Sequence, residues 1–209
     1  MSGEERLAGN GVALVRARAL AVRVQAGLER LYQLDRVVDV EDFVLGAADG
    51  EREALLLRQA QDGALELGVR LPELVGEAGL DALCQVIEGV SHFVYVVDRA
   101  RARREATQLE LELQAEVDKW VVLAASIRTF DAGRSATLRA RLYDHVAFEH
   151  DAETELGERY RVANDVAHRF VRRLEREYVE PGRMVELRAE LLRFFHVGQE
   201  GKLRLGRAA

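Results

Sequence analysis

The sequence holds one cysteine, Cys84, two prolines and four serines in 209 residues. A single cysteine excludes an intramolecular disulfide and a cysteine-based zinc finger. With so little proline and serine there is no long flexible linker. Lysine is scarce as well: of the 30 basic residues only Lys119 and Lys202 are lysines. That bias toward arginine says nothing about partners. It makes Lys119 stand out, because a lysine is a compact, titratable point charge and arginine was the default elsewhere. No run of about 18 uncharged apolar residues occurs, so no membrane-spanning helix is expected. Arg16, Arg18 and Arg23 interrupt the apolar N-terminal run, unlike a secretory signal, and Glu4 and Glu5 oppose an organellar presequence. The expected compartment is the cytoplasm.

What is present describes a folded chain. Hydrophobic residues make up 48% and charged residues 32%, a balance that excludes bulk disorder. The net charge of −6 opposes a general nucleic-acid coat, which needs concentrated positive charge. Residues 1–10 are expected to be a flexible N-terminus. Residues 12–33 place Leu14, Ala21, Leu28, Leu31 and Tyr32 near helical spacing. Across 39–71 the pattern changes. Leu65, Leu67, Val69 and Leu71 alternate with Glu66, Gly68 and Arg70, the period of a half-buried strand. Two earlier apolar segments, 42–46 and 53–59, are set off by Asp49-Gly50 and Asp62-Gly63, dipeptides suited to tight hairpin turns. The prediction is a three-stranded antiparallel meander.

After Gly79 the pattern is helical. Helices are expected over 80–98, 105–126, 135–148, about 151–180 and 184–197, with RARARR at 99–104 as a basic joint and a flexible tail at 198–209. The predicted fold is α+β: an N-terminal helix and the meander (11–75), then a mainly antiparallel five-helix bundle (76–197), together one compact domain.

No phosphate-binding glycine loop, dinucleotide fingerprint, nucleophile elbow or HExxH zinc helix is present. Cys84 lies on an apolar helix face and reads as a small hydrophobe. One polar constellation stands out. Glu88 and His92 are four apart, as are Glu112 and Glu116, and Lys119 lies three further on. Such spacings put side chains on one helix face. These five are the candidate polar cluster. They form helix ion pairs, a buried network, or ligands for a divalent metal in a metal-dependent enzyme. The Glu-x-x-His spacing of di-metal bundles is absent. A second set, His145, Glu149, His150 and His168, sits near a turn and reads as exposed. Arg99, Arg101, Arg103 and Arg104 form a candidate anion patch, the basis of a nucleic-acid alternative. No aromatic residue or recognised motif accompanies it. With no cofactor motif and no confident catalytic or metal residue, the favoured reading is a non-catalytic cytoplasmic adaptor with a protein partner or a second copy of itself. Its docking surface would combine helix 12–33 with a sheet edge.

Overall fold

A computed structural model describes residues 3–47, 51–59, 65–74, 78–144 and 146–208. The fold is α+β, with seven α-helices and a three-stranded mixed sheet among the described residues. The chain divides into two compact units, Met1–Arg30 with Leu34–Asp98, and Leu31–Gln33 with Arg99–Ala209.

The first unit begins with α1, Gly3–Tyr32. Residues 3–10 are therefore helical, where a flexible N-terminus was expected. Ala13, Ala17, Ala21, Val24 and Leu28 form its buried stripe at steps of three and four. Gln25, itself buried, bridges helix and loop: its Nε2 donates to the Val38 carbonyl and its Oε1 accepts from the Val40 amide, 2.8 and 2.9 Å. A single 3-10 turn, Val40–Phe43, leads into β1, Val44–Gly46.

The sheet departs from the predicted meander. β2, Ala54–Gln59, and β3, Leu65–Leu71, pair antiparallel as the alternation implies, from Ala54↔Arg70 to Gln59↔Leu65. β1 instead joins the other side of β3, in parallel, giving the order β1-β3-β2. The register Val44↔Val69 sets two buried valines side by side on one face. Alternation reveals which residues face inward, but not which edge accepts the next strand. Both Asp-Gly turns lie outside the described residues.

α2, Leu80–Arg101, packs on β3. Contact is close at Gly89, where a Cβ would stand 2.9 Å from Leu71 Cδ2 and 3.3 Å from Val69 Cγ1. Phe93 meets Phe43 with ring centroids 5.3 Å apart. By length and composition α2 is the one described helix able to cross a bilayer, and 61% of its apolar window is buried within the structure. Core helices of this kind pass the same length test.

In the second unit α3, Gln108–Ser126, starts with a capping box: Thr107 Oγ1 accepts from the Glu110 amide and Glu110 Oε2 accepts from the Thr107 amide. α4, Ala132–Arg139, is capped by Asp131 and so starts three residues before the expected 135, and Ser135 is buried within it. It continues as a wider, π-type turn, Ala140–Asp144. α5, Glu155–Leu174, is capped by Thr154 and widens likewise at Glu175–Val179. α6 spans Met184–His196. The segment expected as a flexible tail forms α7, Gln199–Arg207, with Lys202, Leu205 and Gly206 buried. Six α-helices thus follow Gly79 among the described residues, not five. α3, α5 and α7 pack on one another, and Trp120, Phe170, Phe194 and Phe195 form the large side chains of this core. Each such burial contributes about 1.5–3 kcal/mol.

Candidate functional site

The expected polar cluster is distributed over both units. Glu88 and His92 lie one turn apart on α2, in the first unit, and both are buried. Glu112, Glu116 and Lys119 lie on α3, in the second. There Lys119 Nζ donates to Glu116 Oε1 at 2.7 Å, the ion pair expected at this spacing. Glu112 Oε1 lies 4.0 Å from Arg159 Nε on α5.

The four arginines of the candidate anion patch are not equally exposed. Arg101, Arg103 and Arg104 are exposed, whereas Arg99 is 5% exposed. Arg99 Nη2 lies 3.7 Å from Glu110 Oε1 and donates to the Val197 carbonyl at 3.1 Å. Val197 is the C-cap of α6, where unmatched carbonyls and the helix dipole favour a cation. The sequence flagged this arginine for surface charge, and the fold uses it as an internal cap.

A second cation serves the same helix end, and sequence reasoning missed it. Lys202 is fully buried on α7. Its ammonium donates to the Phe194 carbonyl, in the last turn of α6, and to Gln114 Oε1, 2.7 and 2.6 Å away. It also lies 4.3 Å from the centre of the Phe194 ring, within cation–π range. Gln114 passes the chain on: its Nε2 donates to Asp118 Oδ1 at 2.9 Å and to Tyr32 Oη at 3.0 Å. Tyr32 in turn donates its hydroxyl proton to Asp118. All four residues are at most 1% exposed. Burial pushes the Lys202 amine well below its ordinary range, with the nearby Asp118 carboxylate pulling it back up. Burial, reinforced by Asp118, raises the Tyr32 phenol well above its own. The one signal in the sequence was the second lysine among arginines.

Two further buried ionic sets hold the helices. Glu175 accepts from Ser135 Oγ and from Arg139 Nε, both at 2.6 Å. Arg173 donates to Glu190 at 2.5 Å and to Glu177 at 3.1 Å. Of the second histidine set, His168 packs beside Arg139 and Tyr143, His150 stacks on Tyr160, and His145 lies outside the described residues. Glu149 is exposed. A cavity of about 520 Å³ opens among the first turns of α3, α5 and α7. Glu155, Glu158 and Arg159 are its charged lining, so its acids oppose an anionic guest.

Comparison with family models, curated proteins and solved structures found no match.

The surface of the first unit carries a different feature. Val44, Val69 and Leu71 fill one face of the sheet. On the opposite face Leu45 and Leu56 are 49% and 42% exposed. They flank Gly68, whose Cβ would meet Leu45 Cδ1 at 3.0 Å and Leu56 Cβ at 3.6 Å. The result is a short apolar strip across all three strands. β2 pairs with β3 alone among the described strands, so its other side is a sheet edge.

Proposed function

We propose that this chain is a non-catalytic protein-interaction module that works in the cytoplasm and associates with a second copy of itself through the sheet. The observation carrying this reading is the exposed Leu45–Gly68–Leu56 strip beside the β2 edge. Proteins usually blunt such edges with charge or proline, because an open edge templates strand addition. Here the strand begins Ala54-Leu55-Leu56-Leu57. The buried acids and bases of the second unit support the same reading, since they bond to one another and to helix ends.

A two-fold interface uses each patch twice, so one substitution removes two contacts. Burying a leucine is worth about 1.5–3 kcal/mol, and a tenfold change in affinity corresponds to about 1.4 kcal/mol. Leu56→Lys is therefore expected to weaken self-association by about tenfold or more. Light scattering coupled to size exclusion, run over a concentration series, measures it. A wild-type protein that is monomeric at every concentration, or a Leu56→Lys variant that associates equally well, would refute the reading.

A further inference from the structure

Three elements of the second unit converge on one imidazole. His168, on α5, has a side chain 29% exposed. Its Nε2 lies 2.8 Å from Arg139 Nη1 and 3.4 Å from Asp144 Oδ1. The Tyr143 ring stacks on it, centroids 5.6 Å apart. A guanidinium has only donors and keeps its proton, so the contact with Arg139 requires a lone pair on Nε2. A neutral imidazole with its proton on Nδ1 meets that requirement. Once Nε2 is protonated, Arg139 becomes a like charge facing another donor. Asp144 is then the acceptor within reach.

Both alternatives are tied to irregular helix. Arg139 ends α4, and Tyr143 and Asp144 close the π-type turn that follows. Arg139 also binds Glu175, the first residue of the second π-type turn. Single π-type turns inside helices recur at functional sites. We propose that His168 is a proton-operated switch that holds Arg139 when neutral and takes Asp144 when protonated, shifting the Ala140–Asp144 turn.

The surrounding charges set its direction. Arg139 faces the ring from α4, and Tyr143 and Asp144 face it from the turn. Asp165 and Arg172 flank it on α5, and Glu175 stands behind Arg139. From α3, the Glu116 carbonyl accepts from the Tyr143 hydroxyl at 2.8 Å. Burial lowers the imidazole below its ordinary range, Asp144 raises it, and Arg139 and Arg172 lower it again. The neutral state is thus the resident one at neutral pH. The stability it supplies is lost as pH falls through the depressed folded value.

Heteronuclear NMR of the imidazoles in the full chain tests this, with His168→Gln assigning the resonance. The expected result is an Nδ1-protonated ring at neutral pH whose midpoint lies below about 6.5, the ordinary histidine value. Asp144→Asn should shift the midpoint further down and Arg139→Gln should shift it up. Amide shifts across 140–144 should follow the same midpoint. Asp144 is half-exposed, so its variant carries the test even where Arg139→Gln fails to fold. A midpoint unmoved by Asp144→Asn, or 140–144 amides that do not track it, would overturn the switch.

Discussion

A Lys202→Ala variant is expected to lose about 3–5 kcal/mol of stability, the cost of stripping donors from a buried hydrogen-bond network combined with opening a cavity. Lys202 is fully buried and serves three neighbours at once: the Phe194 carbonyl, Gln114 and the Phe194 ring. Its removal takes the Nζ donor from the end of α6 and from Gln114. Lys202→Met keeps most of the volume and no longer has an ammonium to desolvate. Its cost is the loss of donors to two buried acceptors, about 1–3 kcal/mol for each one left unsatisfied. The Met variant should therefore be the milder of the two.

The pH dependence identifies the mechanism. The folded Lys202 amine is depressed, so the unfolded chain binds a proton that the folded chain releases. Stability due to this group is fully present above the unfolded value of about 10.4 and is lost as pH falls through the folded value. Tyr32 has the opposite sign. Its raised phenol supplies stability that is present below about 10 and is lost as pH rises through the folded value. Urea midpoints across alkaline pH should rise and then fall for the wild type. Lys202→Met should abolish the rise and keep the fall.

The second large effect is at Glu190. Arg173 and Glu190 have side chains 8% and 10% exposed and are 2.5 Å apart. Burial works against the Arg173 charge, and its bonds to Glu190 and Glu177 outweigh that penalty. Glu190→Ala leaves the guanidinium with the more exposed Glu177 as its remaining carboxylate, and the expected loss is about 2–4 kcal/mol. The pair's net contribution is smaller than this, because both charges were desolvated on folding. Replacing both, Arg173→Met with Glu190→Leu, is expected to restore most of the loss. Denaturation of the two single variants and the double variant completes the cycle. A double variant as unstable as the sum of the singles would contradict the desolvation argument.

These networks mark where the sequence was legible and where it was not. Alternation at Leu65–Leu71 identified β3 and its pairing with β2, because a half-buried strand shows its period locally. The position of β1 depended on which edge of β3 was vacant, a relation between distant segments. α7 was missed because Gly198, Gly201, Gly206 and several basic residues resemble a loose tail. Two of those glycines mark close contact instead. A Cβ at Gly206 would lie 2.8 Å from the Val166 carbonyl oxygen of α5, and one at Gly201 2.6 Å from Val197 Cβ. The places of Arg99 and Lys202 are illegible in the sequence for a related reason. A cation that ends a helix from inside the core looks, in one dimension, like any surface charge. Lys119, which stood out for the same scarcity of lysine, makes an ordinary ion pair.

The proposed function requires that the buried acids and bases of the second unit, Lys202 among them, bond the helices and take no part in chemistry. Because Lys119 and Lys202 are the only lysines, amine-specific acylation of the native protein, read by mass spectrometry, separates them directly. Lys119, with 11% of its side chain exposed, should be acylated under native conditions, and Lys202 should stay unmodified until denaturant unfolds the chain. Acylation of Lys202 ahead of Lys119 in the folded protein would reveal an accessible, reactive amine and contradict the account.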